Sequence, residues 1–417
     1  MGPPDLAARA LDARLDRTSE QPLAVAFSGG GDSLALLLAA KAWADRAGRR
    51  LVALTVDHQL QPESEAWTAW CAERAVRLGV AHRIVAWEGP KPATGLAAAA
   101  RAARHRLIAE AARQAGARVI LIGHTADDVL ESQMMRTGGV RVSAPREWSP
   151  SPVWPEGREL FLMRPLLGAR RAELRTWLKG LGETWIEDPA NLDPLQPRAR
   201  ARAALAGGNL ATSLEDTPDV GSMVAKFGPA GELTLRPGAA YEFPAFVTQL
   251  GVAVVCASGA EGPPRRDPLE RLANRFWREE TLSGTLGGAR VVRDGEWIHI
   301  VRETGDARGR RCEAMSLPVG EPVIWDGRFE VRAIEAGLTL APLVGRASRL
   351  GDDARRGLTA LHPAARKALP ALIDMRGAVT CPTLEADPRL TIRNLVPRRV
   401  AGAALIGDEA GIEMFAR

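Results

Sequence analysis

The sequence predicts an α/β protein whose first two hundred residues form a doubly wound parallel sheet, followed by smaller α+β domains. Three observations carry this. Short apolar runs alternate with Ala-rich amphipathic stretches as far as Leu205. Most of those runs are apolar on both faces, as strands buried in a parallel sheet must be. The alternation then stops at a break rich in Gly, Ser and Asp, AGGNLATSLEDTPDVGSM.

The predicted strands are Leu23–Ser28, Leu51–Asp57, His82–Trp87, Arg118–His124 and Phe161–Leu167. Between them the 3.6-residue apolar period predicts helices at Ser33–Ala47, Glu63–Leu78, Gly95–Ala115, Asp127–Arg136 and Arg170–Leu181. Strand, helix, strand in series implies right-handed crossovers. Ligands of such sheets bind beyond the carboxyl ends of the strands. The first domain is placed at 1–208. A middle domain at 209–310 carries a helix, Pro268–Glu279, and a hairpin, GGARVVRDGEWIHIVRE, turning at Asp294-Gly295. Residues 303–322 read as a linker, and 311–417 as a small α+β module containing VIWDGRFEVRAI.

With 417 residues, 46% of them apolar and 25% charged, the chain has the balance of a folded protein rather than a disordered one. The four cysteines, Cys71, Cys256, Cys312 and Cys381, are far apart and suggest neither a disulfide framework nor a thiolate metal site. The N-terminus lacks the pattern of a signal peptide, and the best apolar run, from Leu34, stops at Lys41. A cytoplasmic protein is expected. The net charge is +5, and nearly all of the 55 basic residues are arginines, whose planar forks suit phosphate oxygens.

The sharpest motif is FSGGGDS, Phe27–Ser33, where a buried strand meets a helix. Three glycines let the backbone turn tightly and aim N–H groups at an anion, and the helix N-terminus adds its dipole. Ser28, Gly29, Gly30, Gly31, Asp32 and Ser33 therefore form a candidate phosphate cradle. It lacks the Lys of a Walker A loop and the spacing of a dinucleotide fingerprint. The second strand ends in VDHQL, whose acid and His at the strand's carboxyl end point into the same crevice, where Asp57 could reach a ribose or a metal. The fourth ends in GHTADDVLES, gathering His124, Asp127, Asp128 and Glu131 within two turns, with Asp128 and Glu131 on one helical face.

S-G-G-G-D-S in the first strand-to-helix turn resembles the loop of the PP-loop ATP pyrophosphatases, which split ATP between its α and β phosphates. Within them, the first two hundred residues resemble the tRNA(Ile)-lysidine synthase family. The motifs follow that family's order: VDHQL, the A-R-x-x-R helix Ala100–Arg104, His124–Ser132, Arg164–Leu167, Trp185–Asn191 and RARAR from Arg198, with weaker echoes at Thr285 and Trp325. Departures are Val129 for a usual Gln, His105 for a usual Tyr, Ala199 for a usual Asn, and a glycine stretch cut to Thr137-Gly138-Gly139.

The resemblance implies adenylation of a wobble cytidine by ATP with Mg²⁺, then displacement of AMP by the amine of L-lysine, on isoleucine tRNA with a CAU anticodon. It implies Asp32, His124, Asp127 and Asp128 as catalytic, Ser28 to Ser33 with Val56 and Asp57 around ATP, and Asp32 on Mg²⁺. Asp128, Glu131 and Arg202 would hold lysine. Arg101 and Arg104, at i and i+3 on an Ala-rich helix, make a basic patch assigned to tRNA together with Arg198, Arg393, Arg398 and Arg399. A homodimer is a further expectation. A tRNA thiolase of the same superfamily would need reactive cysteines, and a non-catalytic nucleotide-binding module would not need the acids of Asp127–Glu131.

Overall fold

The computed structural model describes residues 2–140, 142, 144–189, 197–205, 224–236, 242–305, 312–404 and 406–416. The chain forms two compact units, Met1–Thr217 with Ile406–Arg417, and Pro218–Leu405.

In the first unit, strands β1 (Leu23–Ala26), β2 (Leu51–Asp57), β3 (Ala81–Ala86), β4 (Val119–Leu121), β5 (Trp148–Pro150) and β6 (Phe161–Met163) form one sheet in the order β3-β2-β1-β4-β6-β5. All pairs are parallel except β5 with β6, an edge strand that the sequence pattern does not mark. The period-2 rule explains why the strands read as continuously apolar. Leu23, Val25, Leu51, Ala53, Val119, Leu121, Phe161 and Met163 enter one core, while Ala24, Val52, Leu54, Ile120 and Leu162 enter the core on the other face.

Helices α1 (Pro3–Arg14), α2 (Gly31–Ala47), α3 (Ser64–Arg77) and α6 (Arg171–Gly180) contribute to the first core, and α4 (Leu96–Gln114) to the second. Two further helices, α5 (Ala126–Thr137) and α7 (Pro197–Leu205), lie against each other. The expected strand at Arg118–His124 is shorter than read. It ends at Leu121, so His124 lies in the loop beyond the strand's carboxyl end.

In the second unit, β7 (Val224–Phe227), β8 (Leu233–Arg236), β9 (Thr281–Leu286), β10 (Ala289–Asp294) and β11 (Trp297–Arg302) make an antiparallel sheet. Helices α8 (Phe243–Ser258) and α9 (Arg266–Arg278) share its core. The Asp294-Gly295 turn joins β10 to β11, with Gly295 at φ 59°.

Strands β12 (Met315–Ser316), β15 (Thr339–Pro342), β16 (Pro370–Ile373) and β17 (Val379–Thr380) form a further sheet, and β13 (Pro322–Trp325), β14 (Phe329–Ala333) and β18 (Leu390–Asn394) another. Helices α10 (Asp352–Thr359), α11 (Pro363–Arg366) and α12 (Val396–Ala404) complete this unit. The expected division near residue 310 does not separate two cores. Ala230 and Val301 pack with Leu343 and Leu369, and Val396 packs with Leu233 and Phe246. The WDGRF echo is structural. Asp326 accepts from Arg302 and Arg328, and the buried Arg328 donates to the carbonyls of Ala230 and Ala368.

The last helix, α13 (Glu409–Ala416), belongs to the first unit. Glu409 accepts from the Arg49 guanidinium at 2.8 and 2.9 Å, a buried pair, and Ile412 joins the core of α1 and α2. Among the described residues no helix is long and apolar enough to cross a membrane.

Candidate active site

The glycine loop occupies the turn between β1 and α2. The helix begins at Gly31, so the N–H groups of its first turn open onto the crevice. Ser33 Oγ accepts from Ser28 N and donates to Gly30 O, which folds the loop on itself. Gly29 sits at φ 80°, and a Cβ there would lie 2.4 Å from Ile186 Cδ1, so both conformation and space demand glycine. Ile186 N donates to Gly29 O, so the loop at Trp185–Pro189 buttresses the cradle. Asn191 of that motif lies outside the described residues.

Asp32 lies in the first turn of α2, half-buried, next to the start of α5. A Cβ at Gly123 would come within 3.0 Å of the Asp32 carbonyl, which shows how closely the β4 turn passes the loop. Burial raises the Asp32 carboxyl above its usual range, against the opposing pull of Arg171. Its Oδ2 accepts from Arg171 Nε at 2.9 Å, while Oδ1 is buried without a partner among the described residues.

Thr125 caps α5. Asp128 Oδ2 accepts from Thr125 N at 2.8 Å and Thr125 Oγ1 at 2.9 Å, a capping box that fixes the helix start. Burial works to raise Asp128, but the neighbouring His124 ring, the Arg171 charge and the Thr125 N–H outweigh it and hold the carboxyl below its usual range. Asp127 turns the other way, accepting from Arg171 N at 2.7 Å and Arg170 Nη2 at 3.1 Å, and so ties α5 to α6. Glu131 is 1% exposed, and its Oε1 takes Arg171 Nη1 at 3.0 Å and Arg202 Nε at 2.9 Å. Its Oε2 has no partner among the described residues.

His124 Nδ1 accepts from Arg164 Nε at 3.0 Å. Arginine only donates, so the proton of this imidazole sits on Nε2. Burial pushes the ring down to about 3, which makes His124 a neutral hydrogen-bond donor rather than a cation. Arg164 is fixed by the Arg146 carbonyl and Ser149, and burial lowers it to about 10.

Arg101, Arg104 and Arg198, from two helices, are close enough to repel one another. Burial and these like charges bring Arg104 down to about 10. Such a group is an anion-receiving arrangement. The structure thus brings Arg101, Arg104 and Arg198 together beside His124 and Asp128, and brings Arg202 to Glu131. Asp57 Oδ1 accepts from Gln59 N at 2.9 Å, shaping the turn after β2, while Val56 is half-buried at the strand's end.

The C-terminal arginines are elsewhere, in the second unit. Arg393 pairs across the β14–β18 ladder with Glu330 at 2.9 Å, and Arg398 is half-buried at the start of α12. The Arg399 guanidinium donates to the carbonyls of Val255 and Ala260, and burial lowers it to about 10. These two bonds fasten α12 to the end of α8.

The residue that sequence reasoning missed is Arg171, the hub of the acidic cluster. A signal was present. Two arginines, Arg170 and Arg171, open a helix at the end where the dipole favours acids, and so require carboxylates nearby.

Residues 5–207 match the PP-loop domain family. Over 97% of this chain and 98% of the relative, the sequence is 46% identical to a tRNA(Ile)-lysidine synthase of Caulobacter vibrioides. It is 34% identical to the enzyme of the same name from Mesorhizobium japonicum over 93% of this chain and 89% of the relative. For that of Hyphomonas neptunium the identity is 36% over 71% and 85%. Near-complete coverage at such identity, on a chain that carries the PP-loop cradle in its first crossover, means that this protein belongs to the tRNA(Ile)-lysidine synthase family.

Proposed function

We propose that this chain joins L-lysine to C2 of the wobble cytidine in isoleucine tRNA with a CAU anticodon, cleaving ATP to AMP and pyrophosphate through an adenylated cytidine. The observation that carries the reading is the meeting of a phosphate cradle, a buried acid cluster and a group of arginines at one end of the parallel sheet.

Each part has a task. The open N–H groups of Gly31 to Ser33 receive phosphate oxygens, with Val56 and Asp57 bordering the nucleoside. Among the described residues no three acid, His or Cys side chains gather to hold a metal alone. Asp32, with one buried oxygen unpartnered, fits a Mg²⁺ shared with phosphate oxygens, the usual arrangement for that ion. Mg²⁺ bound there would offset charge developing on the phosphates. His124 donates through Nε2 to an oxygen of the reacting group. Glu131, aided by Asp128, attracts the lysine ammonium, and Arg202 its carboxylate. Arg101, Arg104 and Arg198 take backbone phosphates of the anticodon loop. Such an enzyme works in the cytoplasm, where its tRNA is. A homodimer remains part of the proposal, tested by sedimentation.

The test is a coupling assay. AMP and pyrophosphate should form only when ATP, L-lysine and CAU-anticodon isoleucine tRNA are all present. Release that proceeds without lysine or is indifferent to the anticodon would overturn the reading.

A further inference from the structure

We propose that Arg171 is an internal stand-in for the substrate's ammonium group: its guanidinium occupies the carboxylates before lysine arrives, exchanges with the incoming amine, and then joins Arg202 on the lysine carboxylate. This rests on the lysine reading above and deepens it.

The first support is the kind of partner Arg171 has. The arginines that hold this protein's cores together are locked by backbone carbonyls. Arg49 donates to Asp16 O and Gln21 O, Arg328 to Ala230 O and Ala368 O, and Arg399 to Val255 O and Ala260 O. Among the described residues the Arg171 side chain bonds to carboxylates alone: Asp32 at 2.9 Å, Glu131 at 3.0 Å and Asp128 at 3.5 Å. Its backbone is fixed by Asp127, so the side chain can leave while the helix stays.

Incomplete satisfaction of the cluster is the second support. One guanidinium serves three carboxylates, and a buried oxygen of Glu131 is left without a donor among the described residues. A buried acceptor without a partner is costly, and a compact ammonium with three donors can supply what a planar fork at this distance does not.

The exchange also explains selection. While Arg171 sits on the acids, a ligand sees only the fraction of molecules whose cluster is open, and its apparent affinity falls accordingly. A simple amine must displace the guanidinium with nothing in return. An amino acid returns a carboxylate to the released arginine. The site therefore favours a molecule carrying both an ammonium and a carboxylate over a diamine of equal length.

Binding of L-lysine, 1,5-diaminopentane and norleucine to the intact protein, measured by calorimetry at pH 8, tests this. Wild type should bind lysine and neither analogue. Arg171→Met should gain the diamine, tightening it by about tenfold or more, and millimolar guanidinium should reverse that gain. A merely structural arginine would show no such reversal. Arg171→Lys, which can reach fewer of the acids, should show a smaller gain and serves if the methionine variant does not fold. A folded variant that binds the diamine no better than wild type overturns the exchange. Wild type that ignores lysine overturns the lysine reading instead, and a diamine gain in the variant would still uphold the exchange.

Discussion

Arg171 reaches Glu131 from a helix forty positions further along the chain, Nη1 to Oε1 at 3.0 Å, while the second oxygen of Glu131 is buried with no donor among the described residues. This pairing ties the fourth crossover of the sheet to the sixth helix and leaves an acceptor open where we propose that the lysine ammonium binds.

Glu131→Gln should raise the lysine requirement tenfold or more and leave ATP dependence unchanged. A neutral amide loses the charge-assisted share of the bond, worth about 1.5 to 3 kcal/mol. Titrating each substrate with the other saturating decides it. A shift in ATP dependence alone would make Glu131 a nucleotide residue.

Asp32→Ala should abolish modification while the melting curve stays within a few degrees of wild type, since Arg171 keeps Glu131 and Asp128 as counter-charges when Asp32 is gone. Lysidine formation at the normal rate by the folded variant would remove Asp32 from the reaction.

Replacing both Arg101 and Arg104 with Ala should weaken tRNA binding and lower the slope of log affinity against log salt by about 2, one unit for each phosphate no longer neutralised. Arg399→Met is the contrasting case: it should lower the melting temperature through two stranded carbonyls and leave that slope unchanged. An unaltered slope in the first variant, or an altered one in the second, contradicts this division of roles.

Burial pushes His105 and His124 down to about 3, whereas histidine in an unfolded chain titrates near 6.5. Between those values the unfolded chain binds more protons than the folded one. Stability therefore rises with pH across that window and is lost as pH falls from about 6.5. Thermal midpoints at pH 7.5 and 5.5 should show the fall, and His105→Tyr should reduce it. An equal fall in both proteins would assign the pH dependence to other groups.

Glu409→Ala should destabilise the first unit by about 3 to 5 kcal/mol, because it leaves the Arg49 guanidinium buried without its counter-charge. Chemical denaturation measures it directly, and a loss below about 1 kcal/mol would show that the backbone carbonyls alone satisfy Arg49.

The first unit was legible because each central strand buries both faces, so Leu23–Ala26 and Leu51–Leu54 read as unbroken apolar runs, and because the loop at Ser28–Ser33 carries its chemistry in consecutive residues. The acids of α5 were legible for the same local reason. What sequence did not reveal depends on distant partners. Glu409 meets Arg49 across 360 positions, and no local pattern marks that pairing. An arginine bonded to carbonyls and one awaiting a phosphate are spelled alike, so sequence does not reveal that Arg399 meets Val255 and Ala260. Nor can a composition shift near residue 310 report that Ala230 and Val301 complete a core with Leu343 and Leu369.

Attachment of lysine to one base of one tRNA is tested most directly by nuclease digestion and mass spectrometry of isoleucine tRNA with a CAU anticodon, after incubation with the protein, ATP and L-lysine. The predicted result is a single wobble cytidine gaining the mass of a lysine residue, absent when lysine is withheld or when Asp32→Ala replaces the wild type. An unmodified cytidine in the presence of active, folded protein, or a base carrying sulfur instead, would contradict it.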